Sequence, residues 1–361
     1  MTFPQYPQQH QPIQQNRRYP QPNPQYPQMN PYQLWLRRVR NVFSRIGASM
    51  CLMVVIWYAL AAVFSGVLYA VRETSNLPNW ATYVASGAPL YLVAMPIAVT
   101  IMGRRQVLET RKFDMKPGMF FKLLVMCFPL MCAGSIIGNM LSMLFTDGKA
   151  TNNVSELALD VNIWNVVFLV IIGPIFEEWI FRKELISRLR RYGEKTAIVV
   201  SALMFGLFHM NLFQFFYAFA LGLVFGYVYT RTSQLRYSIG MHMIINCMGG
   251  VIAPLVLKSV DLNKLTIMLD GAENGNGTAL MQWAEQNATG IMIFAIYLLA
   301  YYSLIVVGVV LLVRNRKNFE FYTAPEELPR GMRANTAVLN VGMITFAVVT
   351  IAITAVNLLL G

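Results

Sequence analysis

Two adjacent carboxylates, Glu177 and Glu178, close an apolar run in the stretch GPIFEEWIFRKELISRLRR, with Arg182 four positions beyond the second. On a helix Glu178 and Arg182 share a face, so they can pair and neutralise each other. Glu177 is rotated by about 100° from Glu178 and points elsewhere. A carboxylate left free in apolar surroundings is a candidate general base. Two later segments carry groups able to serve it. In FGLFHM, Phe205 and His209 are four apart, which places an aromatic ring one turn from an imidazole. In HMIIN, His242 and Asn246 lie on one face and offer two hydrogen-bonding side chains to one point. The chain has three histidines, and the third, His10, falls in a polar N-terminal stretch.

These residues stand where Leu or Val would be ordinary. Apolar residues make up 56% of the 361 and charged residues 13%. Soluble chains average about 45–50% and roughly 25%. Apolar runs of the ~20 residues needed to cross a bilayer recur along the chain. The fold class expected is all-α: a polytopic membrane helical bundle of about 8–9 transmembrane helices with a disordered N-terminal tail. Nine spans are read at approximately 48–71, 83–102, 119–145, 161–183, 196–213, 214–230, 237–257, 290–313 and 335–360. The third is long enough to tilt strongly or to break near Pro129, and the fifth and sixth form a tight hairpin. The first begins near Ala48, which reads as a retained signal anchor rather than a cleaved leader. An ionisable side chain at the centre of such a span costs about 2.5–3.5 kcal/mol, so it persists where it faces a protein interior or a wet cavity.

The net charge of +12 raises nucleic acid as a partner. Its distribution gives another reason. With the N-terminus in the cytoplasm, Arg37, Arg38, Arg40, Arg45, Arg104, Arg105, Arg111, Lys112, Lys183, Arg188, Arg190, Arg191, Arg231, Arg236, Arg314 and Arg316 all fall inside. The opposite loops hold Arg72, Lys149, Lys258 and Lys264. That asymmetry is a topology signal, and no nucleic acid is needed to explain it. It also sets depth. Glu177 and His242 lie roughly 9 Å from basic residues at the inner face, and His209 about 20 Å. All three can therefore meet in the inner half of the membrane. The four cysteines lie in apolar runs without metal-ligand spacing.

The three motifs, in this order, resemble the CPBP family of intramembrane proteases, also called the Abi or type II CAAX prenyl endopeptidase family. The family pattern EExxxR, FxxxH, HxxxN stands here as Glu177-Glu178-Trp-Ile-Phe-Arg182, Phe205-Gly-Leu-Phe-His209 and His242-Met-Ile-Ile-Asn246. The resemblance covers about residues 160–250. It implies an endopeptidase cutting peptide bonds of membrane-associated proteins or peptides, a lipidated substrate among them. In that scheme Glu177, assisted by His209, activates a water, and His242 and Asn246 stabilise the oxyanion. Glu178 and Arg182 hold their helix as an ion pair, and Phe205 packs against the site. No cofactor is favoured. The alternative is Zn²⁺ on Glu177, His209 and His242, a His₂Glu set that lacks HExxH spacing. Composition and run lengths along the chain give a disordered Pro/Gln/Tyr-rich cytoplasmic tail at 1–34, N-terminal transmembrane helices at 35–160, an extracytoplasmic loop at 258–289 and C-terminal transmembrane helices at 290–361, with the catalytic core that the resemblance implies at 161–257. Compactness and a short tail point to a bacterial plasma membrane. Two other functions compete: a non-catalytic scaffold or bacteriocin-immunity protein that retains the motif, and a proton-coupled transporter. The latter lacks an inverted repeat across the halves.

Overall fold

The computed structural model describes residues 30–72, 78–103, 110–149, 161–260 and 277–360, with positions 108, 267 and 269. Among the described residues the chain is helical and has no strand. Eight helices among the described residues are long and apolar enough to cross a membrane. They are α1 (Pro31–Ala70), α2 (Trp80–Met102), α3 (Pro117–Thr146) and α4 (Ile163–Tyr192); then, after the shorter α5 (Glu194–Phe208), α6 (Leu212–Thr232), α7 (Leu235–Lys258), α8 (Ala288–Asn315) and α9 (Val341–Leu359). The span expected at 196–213 is thus a helix of 15 residues that stops just short of His209. α3 runs through Pro129 without a break. The first 29 residues of the expected tail, Arg104, Arg105 and the middle of the 258–289 loop lie outside the described residues.

The bundle is apolar outside as well as inside, as a bilayer requires. On α8, Ile296, Leu299, Val306, Val310 and Val313 all face outward, Leu299 with 71% of its surface exposed. Inside, one apolar cluster joins chiefly α1, α2, α4, α5 and α9 through Phe43, Met50, Met95, Phe181, Phe205 and Phe346. A second joins α3, α6 and α7 through Leu123, Met126, Phe225, Met241 and Ile245. Arg182 lies between them, its guanidinium 4.9 Å from the Phe205 ring centroid and 5.8 Å from that of Phe225. The motif residues therefore sit at the seam.

Two glycines hold one side of that seam together. A methyl built on Gly134 of α3 would lie 2.5 Å from the Tyr217 backbone nitrogen of α6, and one on Gly138 would lie 2.8 Å from the Leu212 carbonyl oxygen. Small residues four apart let membrane helices touch backbone to backbone. Gly134→Leu is expected to cost about 1–3 kcal/mol by overpacking. The fall should appear in the denaturation midpoint of the purified protein, while Ile137→Leu on the lipid-facing side leaves it unchanged.

α5 and α6 form the expected hairpin. Its turn is set by Met210, whose φ of 46° is left-handed, and by Asn211, whose side chain accepts a 2.9 Å hydrogen bond from Phe213 N and caps α6. Elsewhere the helices widen into π-helical turns at Pro89–Ala94, Val166–Ile172, Trp179–Ile186 and Met248–Ile252. Such turns concentrate at functional sites because they re-aim the side chains beyond them. Two of these turns flank Gly173–Glu178, the piece of α4 that carries both carboxylates.

Candidate active site

Glu178 and Arg182 pair as their spacing predicts. Arg182 Nε donates to Glu178 Oε2 at 2.9 Å and Nη2 to Oε1 at 3.3 Å. Both side chains are wholly buried. Arg182 Nη1 also donates to Ser201 Oγ on α5 at 2.9 Å, and that hydroxyl donates to the Phe181 carbonyl at 2.7 Å. A buried charge pair is held well only when its remaining donors are satisfied, and Ser201 does this for the guanidinium.

The pair has a third member that local spacing does not reveal. His242 Nδ1 lies 3.2 Å from Glu178 Oε1, across from α7. A carboxylate ionised by Arg182 accepts, so Nδ1 carries the proton. The opposite edge of the ring, Nε2, is thereby turned to Glu177, 3.8 Å from its Oε2. Glu177 has no Lys or Arg partner among the described residues and keeps 16% of its side chain exposed. The two carboxylates have separated as expected: one is locked, the other opens toward the histidines.

His209 follows the last residue of α5. Its Nδ1 lies 2.8 Å from the Phe205 carbonyl, which can only accept, so Nε2 is left with a lone pair. Phe205 sets the spacing of the ensemble. Its ring meets His209 edge-on at 4.8 Å and 89°, and His242 at 5.8 Å and 88°. From behind, α9 steadies the turn after His209: Asn357 Nδ2 donates to the Met210 carbonyl at 3.1 Å. His242 and Asn246 share a face of α7 but are held by different partners. Asn246 Nδ2 donates to the Leu169 carbonyl at 2.8 Å, inside the wide turn of α4.

Sequence reasoning missed Tyr91. It comes from α2 and stacks on Phe176 with ring centroids 4.8 Å apart and planes at 27°. A methyl built on Gly173 would lie 3.5 Å from Tyr91 Oη, 3.6 Å from Glu177 Oε1 and 3.0 Å from the Phe168 carbonyl. The absent side chain of Gly173 thus leaves a space bordered by the free carboxylate and a phenol. No partner residue accompanies Tyr91 in its own segment, GAPLYLVAMP, so nothing local marks it. Ser201 was equally silent.

A partly exposed carboxylate flanked by an imidazole edge and a phenol, with a second imidazole and an amide on neighbouring helices, can move protons and stabilise a developing anion. Among the described residues no three His, Cys, Asp or Glu side chains are placed to hold a metal ion.

Residues 159–248 match the family model described as type II CAAX prenyl endopeptidase Rce1-like. The chain is 30% identical over 117 residues to a putative membrane peptidase, YdiL, of Bacillus subtilis (strain 168), spanning 31% of this chain and 47% of that protein. It is 26% identical over 195 residues to a membrane-embedded CAAX protease, MroQ, of Staphylococcus aureus (strain USA300), spanning 51% of this chain and 75% of that one. No solved structure matches.

Proposed function

We propose, from the premise that the segment 159–248 belongs to the CPBP (Rce1-like) family, that this integral membrane protein is an intramembrane endopeptidase that activates water on Glu177. The observation that carries this reading is the contrast between the two neighbours: Glu178 is locked by Arg182 and His242, while Glu177 is partly exposed with His242 Nε2 3.8 Å away. A water in the space by Gly173 gives one proton to Glu177 and donates its other hydrogen to the Nε2 lone pair of His209. Its oxygen attacks the peptide carbonyl. The second N–H of Asn246 donates to the resulting oxyanion, and the His242 ring lines the same side of it. Glu177 then passes the proton to the departing amine, and the carbonyl re-forms as the C–N bond breaks. Glu178 acts through His242, fixing which ring edge faces the substrate.

The substrate class is a membrane-associated protein or peptide, with a CAAX-type lipidated tail one form and another membrane protein the other. The Lys and Arg gathered at one end of the bundle support a reading in which that end faces the cytoplasm across a bacterial plasma membrane, with the N-terminus inside. The direct test compares the membrane proteome of wild-type and Glu177→Ala cells. A fragment present in the first and absent from the second identifies the substrate; identical fragment patterns at equal expression sink the proposal.

Two further outcomes are expected of the purified enzyme. Cleavage persists after metal chelation and dialysis, because the Glu177 and His209 chemistry needs no Lewis acid; loss on chelation with recovery on adding Zn²⁺ would reverse this. Tyr91→Phe keeps the stack on Phe176 and removes one hydroxyl, lowering kcat/KM by about tenfold, the scale of a single lost hydrogen bond. The unfolding midpoint should not move.

A further inference from the structure

The segment joining α8 to α9 crosses the basic end of the bundle and is tied to the ends of α4 and α5. Leu328 N donates to the Tyr192 carbonyl and Glu326 N to the Arg191 carbonyl, each at 3.0 Å. Tyr322 N donates to Glu194 Oε2 at 2.8 Å. Between this strap and the helix ends lies a cleft of about 380 Å³, with Lys195, Thr323, Arg330 and Arg333 in its wall beside Glu194 and Glu327.

The two carboxylates are already committed. Glu194 accepts from Arg190, Arg231 and the Tyr322 backbone. Glu327 accepts from Arg333 at 2.6 Å and from Ala324 N at 3.2 Å. Lys195 and Arg330 have no carboxylate partner among the described residues. The Lys195 ammonium rests over the Phe321 ring, 4.7 Å from its centroid. The wall therefore presents surplus positive donors around a space at the low end of the ~300–1,000 Å³ typical of small-molecule sites. Its other lining is aromatic: Phe319, Phe321 and Tyr322 line it from just past the end of α8. Aromatic side chains beside Lys and Arg are what the membrane–water boundary favours.

We infer that this cleft binds a phosphate group, held by Lys195 and Arg330, and that the headgroup of an anionic phospholipid supplies it. Neither residue belongs to the catalytic constellation, and the inference does not depend on whether the protein cuts peptides. The full-length protein in nanodiscs or detergent would be titrated with phosphatidylglycerol, phosphatidylcholine and inorganic phosphate, with bound ligand read by native mass spectrometry. Phosphatidylglycerol should bind in preference to phosphatidylcholine. Lys195→Gln with Arg330→Gln should weaken it by roughly 25-fold, about fivefold per cation near an anionic group. Arg316→Gln with Lys317→Gln removes the same charge from exposed positions outside the cleft and should leave binding as in the wild type. Arg330→Lys, which keeps the charge, checks that the cleft still folds. Saturable phosphate binding that displaces the lipid and is lost in the double variant would keep the phosphate site and assign its source to solution. Equal retention of the two lipids, or a double variant that binds like the wild type, overturns the inference.

Discussion

Glu177→Gln should lower the cleavage rate by a factor of about 10²–10⁴, the range general-base catalysis supplies, without changing how the protein inserts or unfolds. The amide keeps the size and polarity of the carboxylate and cannot take a proton. Little stability rides on the charge, because Glu177 is partly exposed and makes no contact with Lys or Arg among the described residues. The locked neighbour offers the reverse control. Glu178→Gln keeps a hydrogen-bond acceptor for His242 but removes the charge that balances Arg182, so it should cost stability as well as rate. A reconstituted substrate assay beside a thermal melt separates the two variants. Near-wild-type turnover by Glu177→Gln would leave the scaffold reading standing, since a packing role tolerates an isosteric amide.

Arg182→Met should destabilise the fold by about 3–5 kcal/mol, the cost of leaving a buried carboxylate unpaired. Glu178 has no exposed surface, and Arg182 supplies two of its three contacts, at 2.9 and 3.3 Å. Removing the guanidinium also takes away the donor that Ser201 accepts from and the cation beside the Phe205 and Phe225 rings. The double substitution Glu178→Gln with Arg182→Met should recover much of that loss, because neither charge is then left alone. It should not restore full activity: an amide at position 178 holds His242 Nδ1 more weakly than a carboxylate. Unfolding midpoints for both variants, with turnover on the refolded double variant, test this. A single Arg182→Met protein as stable as wild type would show that the pair is not what fixes the seam.

The parts of this architecture that local rules govern could be read from the sequence. Composition and run length required a membrane bundle, and helical geometry alone turned Glu177 away from the Glu178–Arg182 face. The edge-on contact of Phe205 with His209 likewise follows from a four-residue spacing. What escaped depends on contacts between distant segments. Glu178 reaches His242 across 64 positions, and nothing in EExxxR announces it. Tyr91 joins from α2, within the run GAPLYLVAMP, which has no other polar side chain to draw attention. The end of α5 was hidden for a different reason. The apolar run continues through Met210, a side chain that seldom takes a left-handed backbone, so only Asn211 hints at the turn.

The length of α5 has a consequence for the reaction's second reagent. Fifteen residues rise about 22 Å, and the hydrocarbon layer around them is about 30 Å thick. A shortfall of about 8 Å leaves the turn at Met210 and Asn211, with its polar backbone, inside the layer rather than at its surface. The deficit falls where the helix stops, at His209. Hydrolysis consumes one water for every bond cut, and that water must cross an oily medium to reach a carboxylate among apolar side chains. On the proposed mechanism the polar turn stands directly beside His209, so water would be admitted to the site by where a helix ends rather than by a polar channel.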